Sequence, residues 1–138
     1  MNFVLSFGTF DYFHPGHAAY LRQAARLGDY LVVVIARDVN VKKIKNKEVQ
    51  QGENLRKAVV FDFLQAEKIK GKAVLGLKGD RLAILKKFPP AVIALGYDQP
   101  VDEKELRREL IALGLKTKVK RLAAYHPEKY KSSYCLGK

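Results

Sequence analysis

At 138 residues the chain can bury one substantial core but not two, so a single domain spanning residues 1–138 with one site is expected. A composition of 48% hydrophobic and 29% charged residues excludes disorder and low complexity, and no run approaches the ~18 apolar residues of a membrane span. The formal charge of +12 favours polyanionic partners such as nucleotides, phosphorylated metabolites or RNA, without choosing among them.

The N-terminus, Met1-Asn2-Phe3-Val4-Leu5, has neither the basic flank nor the cleavage site of a signal peptide, which reads as cytoplasmic. Cys135 is the lone cysteine and has no Cys or His at ligand spacing, so no structural zinc is expected.

Phe3 to Phe7 and Leu31 to Ala36 are short apolar runs, the second rich in β-branched residues, and both read as buried parallel strands. Between them Ala18, Leu21, Ala24, Ala25 and Leu27 fall at helical spacing over 17–27, and Gly28-Asp29 ends the helix. The alternation continues with a helix near 53–66, a strand at 73–75, a helix near 81–87 stopped by Pro89-Pro90 and a strand at 91–95. A helix from about 102 to 113 closed by Gly114, a strand at 117–122 and a final turn starting near Ser132 follow. Five strands alternating with helices predict an α/β fold, a Rossmann-like three-layer sandwich with a five-stranded, mostly parallel sheet and ligands at the carboxyl ends of the strands. The lysine-rich stretches 42–47 and 116–121 carry no interleaved aromatics and read as solvated surface; the polar segment 42–52 is long enough for a loop bordering the site.

The first strand runs directly into Gly8-Thr9-Phe10-Asp11-Tyr12-Phe13-His14-Pro15-Gly16-His17, and a helix starts at the end of that run. A helix N-terminus offers unpaired N–H groups and a partial positive charge, so it attracts anions before any side chain is counted. His14 and His17 would add imidazole donors for phosphate oxygens; alone, such a pair could equally cap the helix. Gly8 would let a triphosphate approach the backbone, and Gly16 would allow a contact that a Cβ forbids. Asp11, the motif's acid, could orient His14, hold a metal-bound water or cap the turn.

Gly-Thr-Phe-Asp at 8–11 followed by His-x-Gly-His at 14–17 resembles the signature of the cytidylyltransferase-type nucleotidyltransferases, and the likeness in element order extends over nearly the whole chain. The resemblance implies that an acceptor phosphate attacks the α-phosphate of a nucleoside triphosphate in line, with no covalent enzyme intermediate and with release of pyrophosphate. His14 and His17 would then be the catalytic residues, Gly8, Thr9, Phe10, Asp11 and Gly16 would bind nucleotide, and Mg²⁺ would be held mainly through the phosphates, with no direct protein ligand assigned.

Further along, the resemblance implies a phosphate-binding lysine among Lys42, Lys43 and Lys45, with Lys43 chosen, and a substrate-binding Arg56 in Glu53-Asn54-Leu55-Arg56. Gly96 and Asp98 fall at the carboxyl end of a central strand, where Asp98 could bond ribose hydroxyls. Ile93-Ala94-Leu95-Gly96-Tyr97-Asp98-Gln99 looks most like the archaeal-type FAD synthases of this family, which transfer AMP from ATP to FMN. Ser132 and Ser133 align with the family's Arg-Thr-x-Gly-Ile-Ser-Thr segment, whose Arg, Gly and Ile this chain lacks.

Three functions follow in descending order: FMN adenylyl transfer from ATP, cytidylyl transfer from CTP to glycerol 3-phosphate or a similar alcohol or sugar phosphate, and non-catalytic nucleotide or RNA binding. Nucleic acid is not the expected partner, and a homodimer is implied by resemblance alone.

Overall fold

The computed structural model describes residues 2–38, 51–76, 81–96, 99 and 101–123. Within them lie β1 (Phe3–Gly8), α1 (Pro15–Ala25), β2 (Tyr30–Ile35), α2 (Glu53–Ala66), β3 (Gly71–Leu75), α3 (Arg81–Lys87), β4 (Val92–Leu95), α4 (Glu103–Ala112) and β5 (Lys118–Arg121). The expected turn near Ser132 lies outside the described residues, as do Lys42, Lys43, Lys45, Asp98 and Ser133.

The strands form one sheet in the order β3-β2-β1-β4-β5, and every pairing is parallel. Alternation along each strand divides the core between the two faces of the sheet. Val4, Leu31, Val33 and Ile35 pack with Leu21 and Ala24 of α1 and Val60 and Leu64 of α2. Leu5, Val32, Val34, Ile93 and Leu95 pack with Ile84 and Leu85 of α3 and Leu106 and Leu110 of α4. Strands buried on both faces have no polar side to alternate, which is why β2 reads Tyr-Leu-Val-Val-Val-Ile. This is the expected Rossmann-like α/β fold. Among the described residues no helix is long and apolar enough to cross a membrane.

The chain steps outward from β1 through β2 to β3, then crosses to β4 on the other side of β1. Helices before and after that reversal lie on opposite faces, and a crevice opens where β1 and β4 part. The β1–β4 ladder ends at the pair Ser6 and Ala94, whereas β1 stays paired with β2 as far as Gly8 and Ile35.

One boundary corrects the sequence reading. Helix α1 starts at Pro15 rather than His17, because Pro15, which needs no hydrogen-bond acceptor, occupies its first turn and His14 caps it. Leu21 anchors this helix to the sheet with no exposure. Leu21→Ala should cost about 2–5 kcal/mol, read as a lower urea midpoint with an unchanged m-value.

Candidate active site

The loop after β1 folds back on itself. Phe10 and Tyr12 adopt left-handed backbone angles, with φ of 55° and 54°. Neither is glycine, so the loop is strained by about 1–3 kcal/mol at each position and must be held by its surroundings. Phe10 turns its ring inward, 3% exposed, against Phe13, His17 and Tyr20. That ring also accounts for Gly8, where a Cβ would lie 2.6 Å from Phe10 Cε2. Phe10 thus occupies the place that a side chain at position 8 would take.

At the start of α1 the histidines cap reciprocally. The Gly16 N–H donates to His14 Nδ1 at 3.0 Å, and the His14 N–H donates to His17 Nδ1 at 3.3 Å. The rings stack with centroids 3.8 Å apart. Because each ring accepts at Nδ1, the neutral tautomer carries its proton on Nε2, directing a donor from each histidine away from the cap. Capping and anion binding are therefore compatible, since they use opposite nitrogens of the ring. Burial lowers the pKa of His14 from its usual 6.5, which favours the neutral form that the cap requires.

The flank formed by β2 and α2 holds the strained loop. Arg56 is 0% exposed. It donates through Nη1 to the Thr9 carbonyl at 2.8 Å, through Nε to the Gln51 carbonyl at 3.0 Å, and through Nη2 to Asp38. Gln51 reaches back as well, donating its N–H to Asp11 Oδ1 at 2.9 Å while its Oε1 accepts the Tyr12 N–H at 3.0 Å. Asp38 accepts the Glu53 N–H at 3.3 Å, and Glu53 accepts the Asp38 N–H at 2.9 Å, tying the end of β2 to the start of α2. Arg56, expected to bind substrate, instead lies behind the loop, and three of its nitrogens are engaged by protein oxygens. Asp11 bonds across chain segments to Gln51, a contact outside the three roles expected for it.

On the flank formed by β4 and β5, the roles of Tyr20, Gln99 and Arg121 were not anticipated. Where the β1–β4 ladder ends, side chains replace backbone partners: Gln99 Nε2 donates to the Phe7 carbonyl at 2.7 Å, and the buried Tyr20 hydroxyl donates to the Ala94 carbonyl at 2.7 Å. Gln99 Oε1 accepts the Gly96 N–H at 2.7 Å. Arg121 gathers the carbonyls of Gly96, Gln99 and Val101 at 2.8, 2.8 and 3.2 Å, and pairs with Glu103 at 3.1 Å. Both backbone polar groups of Gly96 are thus engaged within the protein, and a Cβ there would crowd Gln99 Cγ at 3.3 Å. Arg121 also corrects the reading of 116–121 as uniformly solvated: Lys118 and Lys120 are exposed, but Arg121 turns inward.

The structure therefore brings together Gly8, Thr9, Phe10, Asp11, His14, Gly16, His17 and Arg56 around one strand-to-helix junction, with Gly96 across the crevice. Residues 5–137 match the sequence profile of the family described as cytidylyltransferase-like. The chain belongs to that family.

Among its cytidylyltransferase-like relatives is an FAD synthase from Aciduliprofundum boonei, 43% identical over 122 residues that cover 88% of this chain and 78% of the relative. An FAD synthase from Ferroglobus placidus is 45% identical over 124 residues, covering 90% and 78%. The crystal structure of a lipopolysaccharide core biosynthesis protein from Thermoplasma volcanium superposes with a TM-score of 0.84 at 38% identity, covering 91% of this chain and 98% of that one.

Two outcomes test the geometry. Arg56→Met, which leaves the Thr9 and Gln51 carbonyls without their donor, should destabilise by about 1–3 kcal/mol for each carbonyl that stays dry, read from urea midpoints. For His14, the lowered folded pKa means that the unfolded chain binds more protons below pH 6.5, so this contribution to stability is full above that value and declines as pH falls through it. The melting temperature should therefore drop between about pH 7.5 and about pH 5.5, and His14→Asn, a cap that does not titrate there, should flatten the decline.

Proposed function

We propose that this nucleotidyltransferase transfers AMP from ATP to FMN, giving FAD and pyrophosphate. The observation that carries the reading is the reciprocal histidine cap at the helix N-terminus that follows β1, in which both rings accept at Nδ1 and so carry their donor on Nε2. In the proposed reaction an FMN phosphate oxygen attacks the α-phosphorus of ATP, forming the new P–O bond as the bond from that phosphorus to the bridging β-phosphate oxygen breaks. Pyrophosphate carries away the electron pair. The protein's part is to orient the reactants and stabilise the charge that develops on the phosphoryl oxygens. His14 and His17 supply Nε2 donors, Gly16 belongs to the helix start that attracts the phosphates, and the backbone of Thr9, Phe10 and Asp11 forms the adjacent rim.

Mg²⁺ fits this site as a companion of the nucleotide. The donors at the junction are imidazoles and backbone N–H groups suited to anions, and among the described residues no group of three His, Cys, Asp or Glu could hold a metal. When bound, the cation neutralises phosphate charge. Lys43, Asp98, Ser132 and Ser133 complete the nucleotide contacts in this reading, and Arg56 and Asp11 act as positioning residues. The chain works in the cytoplasm, as a homodimer. Cytidylyl transfer and non-catalytic binding are disfavoured because the relatives of highest identity described above are FAD synthases.

The test is pyrophosphate release with Mg²⁺ across ATP and CTP, each with FMN and with glycerol 3-phosphate. Release and FAD formation with ATP and FMN alone are expected; turnover only with CTP would overturn the assignment. His14→Ala and His17→Ala should each lower kcat by about 10²–10³.

A further inference from the structure

The flank formed by Gln99 and Arg121 has no place yet in the chemistry. Its geometry is more specific than surface packing requires. A parallel sheet that opens between β1 and β4 leaves backbone groups unpaired at the parting, because the ladder stops at Ser6 and Ala94. The Phe7 carbonyl is one of these, lying one residue before Gly8, and it accepts from the Gln99 side-chain amide at 2.7 Å and, at the longer distance of 3.5 Å, from the Tyr20 hydroxyl. The same amide accepts the Gly96 N–H. One side chain therefore fastens the loop leaving β4 to the strand that enters the histidine loop.

Arg121 closes the other side of that loop. Its guanidinium bonds the carbonyls of Gly96, Gln99 and Val101 together with the Glu103 carboxylate. Glu103 is itself fixed in the first turn of α4, where the helix end favours an acid, and the Asp102 side chain caps that helix. A planar guanidinium holds its donors in a fixed fork, whereas the ammonium of lysine presents three rotatable donors from a single nitrogen. These bonds gather the carbonyls of Gly96, Gln99 and Val101 around one cation.

We propose that Gln99 and Arg121 are positioning residues that fix Gly96, Gln99 and Val101 beside the parting of β1 and β4 and thereby set affinity for ATP. This rests on the adenylyl-transfer reading above. Neither side chain reaches the reacting phosphates: both act through the backbone of Gly96 and Val101. Loosening them weakens capture of the nucleotide, while the histidine loop keeps its bonds to Arg56 and Gln51 on the opposite flank.

The test pairs Arg121→Lys with Gln99→Leu in the full chain. Each should raise KM for ATP by about tenfold, the equivalent of one hydrogen bond's worth of order, with kcat and KM for FMN within about twofold of wild type. By NMR, amide exchange at Gly96 and Gln99 should quicken in both variants, while protection of the Val32 and Val33 amides in β2 stays unchanged. Unaltered exchange at Gly96 and Gln99 would overturn the clamp, and faster exchange with an unchanged KM for ATP would overturn its role in nucleotide capture. Equal increases in both KM values would also overturn that role, reducing the pair to general scaffolding. If wild type makes no FAD from ATP and FMN, the adenylyl-transfer reading fails separately, and calorimetric binding of ATP to the same variants decides the clamp: weaker binding sustains it, and equal binding ends it.

Discussion

The guanidinium of Arg56 lies wholly out of water between the carbonyls of Thr9 and Gln51 and the carboxylate of Asp38. A buried charge is tolerated only where its donors are satisfied and a counter-charge is near, and Asp38, itself about half exposed at 45%, supplies the latter while keeping part of its own hydration. The conformation of the loop after β1 depends on this arrangement. Phe10 and Tyr12 would relax out of the left-handed region in an isolated peptide. Here the Arg56 bond to Thr9, the two Gln51 bonds around Asp11 and Tyr12, and the burial of the Phe10 ring over Gly8 offset that tendency. Strain concentrated in one loop and restrained from behind gives a rim that is already shaped before any ligand arrives.

The two flanks of the crevice use the same device on different strands. On one side an arginine from α2 bonds the carbonyl of the loop that precedes α1; on the other an arginine from β5 bonds the carbonyls of the loop that precedes α4. In both cases a loop at the carboxyl end of a central strand lacks the backbone partners that a continuing ladder would give it. A guanidinium is suited to that deficit because it offers several donors in fixed directions. Tyr20 and Gln99 make single bonds of the same kind at the parting of β1 and β4. Burial raises the Tyr20 phenol pKa above its usual 10.0, which keeps it a donor.

The fold was legible in the sequence because doubly buried parallel strands are near-continuous apolar runs, and Pro and Gly punctuate what lies between them. The histidine junction was legible because adjacent residues form it. What sequence did not convey is longer-range bonding. Arg56 and Thr9 are 47 positions apart, Gln99 and Phe7 are 92 apart, and nothing in the local pattern marks an arginine that points inward. Arg56 follows Leu55, an exposed leucine, so the helix gives no periodic hint of which side is buried at that turn. The glycines at 8 and 96 show a related gap: a glycine announces a close approach without saying what makes it. At both sites a neighbouring side chain of the protein itself does so.

The histidine pair shows how one proton inventory can serve structure and chemistry together. An N-cap needs an acceptor, and a site for phosphate oxygens needs donors; a neutral imidazole is both, with one function on each nitrogen. Protonation at Nδ1 of His14 would replace the acceptor facing Gly16 with a donor, and with the rings 3.8 Å apart a second charge on His17 would oppose the first. A lone helix cap could be Ser or Asp at less risk, but Asp would bring negative charge to the position where phosphates are to bind, and Ser is too short to extend a donor past its own cap. Within the proposed chemistry, histidine at both positions satisfies the helix, keeps the cap itself free of negative charge and retains a donor on each Nε2.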